Sequence, residues 1–235
     1  MSNITTIGVI GLGNAGAPIL NNLNKSNKYK LIAFDIDEKK LNDIPKNIIK
    51  ATSIKNLAEQ CNVVLTCLPK PEHVLEAVGG KEGLLQNAST GMVWIDTSTT
   101  NFKQTQELAI KASTYGVSML EATLTGGVHA LQNNNMVCLA GGDEDTFKLW
   151  KEVLQDAIGE VVVLCGKVGA GAIAKVVSNM LAFTNMVAAS ECMMIAKKAG
   201  LDLENFFDAI RVSAGNSFAW ETVVPHIFNQ KYESG

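Results

Sequence analysis

Six residues near the start of the chain, Gly11-Leu12-Gly13-Asn14-Ala15-Gly16, restrict its fold more than any other feature. They follow the apolar run Thr6–Ile10 and lead into Ala15–Asn24, a stretch with helical periodicity. Strand, glycine loop and helix in that order open a dinucleotide-binding βαβ unit. Gly11 permits a tight turn, Gly13 lets the backbone approach a pyrophosphate, and Gly16 allows helix and strand to pack closely. The helix start then presents amide N–H groups and positive dipole to phosphates. Leu12, Asn14 and Ala15 complete the loop expected to line the cofactor. Asp35 closes the second strand 19 residues after Gly16, where a carboxylate accepts hydrogen bonds from adenine ribose hydroxyls. It would repel a 2′-phosphate, and the cations nearby in sequence are Lys39 and Lys40, with no arginine. NAD is therefore expected ahead of NADP.

The rest of the first two-thirds alternates β-rich runs with helical stretches, the pattern of a parallel sheet covered by helices. Strands are expected at Thr6–Ile10, Lys30–Asp35, Val63–Cys67, Met92–Asp96, Val117–Glu121, Met136–Ala140 and Glu160–Leu164. Helices are expected at Ala15–Asn24, Ile54–Gln60, Glu72–Val78, Phe102–Thr114 and Glu144–Ala157. After Gly166 the character changes. From Ala170 to Ala199 there is no proline and no alternation, which predicts one helix of about 30 residues, roughly 45 Å long. Gly200 stops it and Asp202 caps a following helix at Leu203–Val212. The expected fold is thus a Rossmann-type doubly wound sheet over residues 1–165, followed by an all-helical domain over 166–235 built on the long helix.

Composition narrows the function classes. The chain has 47% hydrophobic and 18% charged residues and a net charge of −3, so it has no basic surface for nucleic acid. Arg211 is the only arginine, so any guanidinium clamp on a carboxylate or phosphate comes from it or not at all. The five cysteines form no Cys-x-x-Cys pair and no zinc spacing with histidine, and reduced thiols and no bound metal are expected. The N-terminus has no basic region followed by a long apolar run, and a cytoplasmic protein is expected. Met180–Ala196 approaches membrane length but carries Asn185, Ser190 and Glu191, and a buried core helix is expected instead of a membrane span.

Five motifs resemble those of the β-hydroxyacid dehydrogenases, typified by 3-hydroxyisobutyrate dehydrogenase and tartronate semialdehyde reductase. The first is the glycine loop, continued by Ala17-Pro18, although the family usually has Met at Ala15. The second is Cys67-Leu68-Pro69 with His73-Val74, a loop that the resemblance places against the cofactor ribose. In the third, Asp96-Thr97-Ser98-Thr99, the resemblance places Thr99 against the cofactor. A substrate loop follows at Glu121-Ala122-Thr123-Leu124-Thr125-Gly126-Gly127. The family usually reads Asp-Ala-Pro-Val-Ser-Gly-Gly there, so Thr123 for Pro and His129 for a Gly are departures that bear on substrate choice. Independently of the resemblance, a hydroxyl followed by two glycines makes a nest of amide donors suited to a carboxylate. His129 either lines the substrate site or lies at the surface.

The last motif is Gly169-Ala170-Gly171-Ala172-Ile173-Ala174-Lys175-Val176-Val177-Ser178-Asn179. Lys175 and Asn179, four apart, share one helix face. Apolar neighbours desolvate the lysine and lower its pKa toward a useful range. The resemblance implies hydride transfer between NAD and a small 3-hydroxy acid, with Lys175 as general acid/base, Asn179 orienting the reacting group, and Thr125, Gly126 and Gly127 holding the carboxylate. Two alternatives stand beside it. An imine reductase of the same fold generally lacks the lysine and prefers NADP, and a non-catalytic dinucleotide-binding protein has lost the lysine. Family members also continue beyond the position of Gly235, and two short helices leave much of the long helix uncovered. A homodimer or higher homo-oligomer is therefore expected.

Overall fold

Among the described residues, short apolar runs form eight strands: β1 (Thr6–Ile10), β2 (Lys30–Phe34), β3 (Ile49–Lys50), β4 (Val63–Thr66), β5 (Val93–Asp96), β6 (Ser118–Thr125), β7 (Val137–Gly142) and β8 (Val162–Gly166). The structure, a computed structural model, describes residues 4–126 and 128–228. The strands lie in one sheet in the order β3-β2-β1-β4-β5-β6-β7-β8. The order reverses at β1, between β2 and β4, and such a switch point opens a crevice at the carboxyl ends of the strands. Every pair is parallel, as expected, except β6 with β7. The connection from Thr125 to Val137 is too short for the crossover a parallel pair requires, and the chain returns antiparallel.

Helices α1 (Gly16–Ser26), α2 (Glu38–Asn42), α3 (Ile54–Ala58), α4 (Pro71–Gly79), α5 (Leu84–Asn87), α6 (Phe102–Thr114), α7 (Val128–Gln132) and α8 (Glu144–Ala157) intersperse these strands. Strand alternation sorts the core into two layers. Val63 and Leu65 join Ile19, Leu23, Phe147 and Leu154 on the face covered by α1 and α8. Val64 joins Leu57, Val74, Val78 and Leu108 on the face covered by α3, α4 and α6. Helices α3, α6 and α8 begin on capping side chains: Ser53, Asn101 and Asp143 each accept a main-chain N–H three residues on.

Three further helices follow: α9 (Ala170–Lys198), α10 (Leu203–Arg211) and α11 (Phe218–Phe228). The chain divides into two compact units, Met1–Lys175 and Val176–Gly235. The expected boundary near residue 165 falls inside β8, which pairs with β7 and so belongs to the sheet. The first turn of α9 is likewise bonded to β6, which carries the division on to Lys175.

In the second unit Ala189 and Met193 of α9 pack with Trp220 and Val224, flanked by Leu203, Phe206, Phe207 and Ile210. Trp220 meets Phe206 edge-on and stacks on Phe207. The expectation of a buried core helix is corrected here. Met180, Leu181, Phe183, Val187, Met194 and Ile195 are all exposed, because α10 and α11 bury only a narrow stripe of α9. By length and composition α9 is the one helix among the described residues that could cross a bilayer.

Candidate active site

The three loop glycines differ in what their surroundings require. Gly11 has φ +91°, and a side chain on it would collide with the Cys67 carbonyl. A side chain on Gly16 would collide with the Gly11 carbonyl, so the start of α1 seats directly on the loop. A Cβ on Gly13 would meet nothing within 4 Å. Two of the glycines are thus demanded by the chain's own packing, while Gly13 leaves a bare backbone facing open space. Helix α1 follows Ala15 with no side-chain cap and no acid in its first turn. Its positive dipole end remains open to an anion, although the Ala17 amide already donates to the Gly13 carbonyl at 3.1 Å and Pro18 carries no N–H. Asn14 is exposed, and Leu12 is buried beneath the loop.

Asp35 is only 6% exposed. Its Oδ2 accepts the Leu12 amide at 2.7 Å and its Oδ1 accepts the Asp37 amide at 2.9 Å. The Lys40 ammonium stands 3.3 Å away. Burial alone would raise the Asp35 pKa, but the two amides and Lys40 outweigh it and hold the carboxyl below its ordinary value. Asp35 therefore braces the glycine loop as well as standing at the end of β2, a second role that its spacing does not reveal.

The loops after β4 and β5 are fixed by a buried network. Trp94 Nε1 donates to Thr66 Oγ1 at 2.9 Å, and the Thr66 hydroxyl donates to Asp96 Oδ1 at 2.7 Å. The Ser98 amide donates to the same Asp96 oxygen, and Ser98 Oγ accepts the Leu68 amide at 2.9 Å. Burial pushes Asp96 up to about 6 against the pull of Ser98 and Thr66. The network locks Leu68 to the Thr97–Thr99 turn. Leu68 is partly buried, whereas Pro69, His73 and Thr99 are exposed.

Lys175 Nζ donates to Thr99 Oγ1 at 3.0 Å. Burial lowers the lysine's pKa, with an opposing pull from Cys67, whose own thiol is pushed up by burial. The start of α9 is held by Glu121 of β6, itself 2% exposed. Glu121 Oε2 accepts the Gly169 and Gly171 amides at 2.9 and 3.0 Å, and Oε1 accepts the Ala172 amide at 2.8 Å. Two residues on, the Thr123 hydroxyl donates to the Leu139 carbonyl at 2.9 Å and reaches the Gly171 carbonyl at 3.1 Å. Glu121 was expected only as the first residue of a substrate loop, and its hold on α9 crosses about fifty residues of sequence.

Glu121 pairs with Asp96 of β5, and β6 runs on to Thr125 beyond that partner's strand end. Gly126 follows in a left-handed conformation, φ +130°, and is exposed. Gly127 and the His129 side chain lie outside the described residues. Asn179 is exposed and belongs to the second unit. In the first unit the structure thus brings Lys175 to Thr99 and sets Leu68 against the same turn. Among the described residues, no group of three His, Cys, Asp or Glu could hold a metal ion.

A family model described as the NAD binding domain of 6-phosphogluconate dehydrogenase matches residues 6–166. The chain belongs to the β-hydroxyacid dehydrogenase family. A second model, described as the NAD-binding region of NADP-dependent 3-hydroxyisobutyrate dehydrogenase, matches residues 169–235. Mouse mitochondrial 3-hydroxyisobutyrate dehydrogenase is 33% identical over 230 residues, which cover 96% of this chain and 67% of that protein. The chain thus spans about two thirds of the length of the curated relatives it matches. The Mycobacterium tuberculosis 3-hydroxyisobutyrate dehydrogenase structure with L-serine is 30% identical with TM-score 0.87, covering 94% of this chain and 75% of that one. An imine reductase from Myxococcus stipitatus in complex with NAD+ shares the fold alone, at TM-score 0.78 and 14% identity over 96% of this chain and 75% of that one. As a member of this family the chain is an NAD(P)-binding oxidoreductase with a Rossmann domain.

Proposed function

We propose that the chain catalyses reversible hydride transfer between NAD and a small 3-hydroxy acid of the 3-hydroxyisobutyrate or glycerate kind, with Lys175 as general acid/base. The observation that carries this reading is the Lys175 ammonium held 3.0 Å from the Thr99 hydroxyl, at the carboxyl edge of the sheet where dinucleotides lie. The nicotinamide, when bound, supplies the hydride acceptor in oxidation and the donor in reduction. The chain's residues do the rest. Gly13 and the uncapped start of α1 receive the pyrophosphate, and Asp35 faces the adenine ribose while bracing Leu12. Leu68, Pro69, His73 and Thr99 flank the remainder of the dinucleotide.

Burial biases Lys175 toward its neutral form, in which it takes the hydroxyl proton on oxidation and returns it on reduction. Asn179, one helical turn on, orients the reacting oxygen. The Thr125 hydroxyl with the Gly126 and Gly127 amides receives the substrate carboxylate. Arg211, the one arginine, pairs with Asp208 at 3.4 Å and lies over the Phe207 ring, which leaves that task to the loop. The L-serine in the M. tuberculosis relative's structure is itself a 3-hydroxy acid and supports this substrate class. A second copy of the chain over the exposed apolar face of α9 completes the proposed assembly.

The direct test is a panel of small 3-hydroxy acids and their aldehydes, followed by NADH absorbance. Turnover confined to that class is expected. Turnover of cyclic imines with none of the hydroxy acids would overturn the reading.

A further inference from the structure

We infer that Glu121 is a positioning residue, a carboxylate latch on β6 that sets the rotation and height of α9 and thereby places Lys175 at Thr99. This rests on the reading of Lys175 as the acid/base, but the latch itself is geometric. A helix leaves its first amides without partners inside the helix. At α9 the chain fills that need from another element. The Gly169, Gly171 and Ala172 amides all point into one buried carboxylate, while the Ala170 amide donates to the Lys167 carbonyl. The negative charge also meets the positive dipole end of a 29-residue helix. Helix α1 has no such partner, so an incoming phosphate finds α1 open and α9 closed.

The latch bears on Lys175 through helix geometry. Gly171 and Ala172 stand four and three residues before Lys175, so all three lie on one side of α9. A slip of one residue would turn that side by about 100° and carry Nζ away from Thr99. Two glycines keep room for the carboxylate. A Cβ on Gly141 would stand 2.5 Å from Glu121 Oε2, and one on Gly171 would stand 3.0 Å from it and 2.6 Å from the Leu139 carbonyl. Thr123, next on the same face of β6, adds its hydroxyl to the Gly171 carbonyl. Glu121 and Thr123 thus both hold the Gly171 peptide region from one face of β6.

The test is hydrogen exchange at residues 169–172 together with the titration of Lys175 by pH-dependent chemical labelling and mass spectrometry, on the full chain. Glu121→Gln should raise exchange at Gly169, Gly171 and Ala172 at least about tenfold and move the Lys175 midpoint up toward an ordinary lysine, as the side chain leaves its half-buried position. Exposed Lys148 serves as the control and should not move. A purely electrostatic Glu121 would shift the Lys175 midpoint down, since loss of a negative charge disfavours the ammonium, and that result overturns the latch. Thr123→Val, which removes one hydroxyl from a close isostere, should shift both readouts in the same direction by a smaller factor. It carries the test alone if Glu121→Gln does not fold. Unchanged exchange and an unchanged midpoint in the folded variants would also overturn it. If both readouts move in a protein with no Lys175-dependent turnover, the latch stands and the acid/base reading fails.

Discussion

The Lys175 ammonium and the Thr99 hydroxyl meet at 3.0 Å across 76 residues of sequence, joining the first turns of α9 to the end of β5. Thr99 is the lysine's hydrogen-bonding partner, so its removal should free the ammonium without touching the phosphate loop. Thr99→Val is expected to lower kcat about tenfold, the scale of one hydrogen bond to a charged group, beyond any weakening of NADH from its place beside the dinucleotide. Steady-state kinetics beside NADH titration checks this, and a loss confined to NADH affinity would assign Thr99 to the cofactor alone.

Much of this arrangement is legible in the sequence where periodicity is long and ends are marked. Helices α6 and α8 lie at their expected bounds, since Asn101 and Asp143 signal their starts. The one-turn elements α2 and α5 and the two-residue strand β3 are too short to show a period. The grip of Glu121 on α9 and of Asp35 on Leu12 depends on side chains meeting across the fold, which no local pattern encodes. The exposure of α9 agrees with the expectation that two short helices leave much of it uncovered and corrects the expectation of a buried core helix. An apolar helix says that something covers it, not which chain does.

Asp96 gives a pH signature of definite sign. Its folded pKa of about 6 lies above the ordinary 3.8, so between those values the native state holds more protons than the unfolded state. Its contribution to stability therefore falls as pH rises from about 4 to about 6 and is level above that. Asp96→Asn keeps an acceptor for Thr66 and Ser98 and removes the titration. Relative to wild type, the variant should gain on the order of 2–3 kcal/mol between pH 4 and pH 7. Urea unfolding across that range reads the difference, and a constant offset would show that Asp96 does not titrate as described.

Asp35 ties cofactor choice to loop shape. NADH should bind more tightly than NADPH, and Asp35→Ala should weaken NADH about tenfold or more by freeing the Leu12 amide as well as losing the ribose partner. Fluorescence titration of both dinucleotides measures each affinity. Equal wild-type affinities would remove Asp35 from cofactor selection and leave it the brace of the loop.

The apolar face of α9 bears on assembly. Light scattering at micromolar concentration should find a dimer or larger species, and Phe183→Glu, which places a charge on an exposed apolar position, should shift it toward monomer. A wild type that is strictly monomeric contradicts the proposed assembly.

Proton movement by Lys175 in hydride transfer is tested by Lys175→Ala under saturating NADH and the best aldehyde of the substrate panel. Turnover should fall at least about a hundredfold, the scale of a lost general acid/base, with NADH affinity unchanged because Gly13, Asp35 and α1 are untouched. Turnover comparable to wild type in that variant would contradict it.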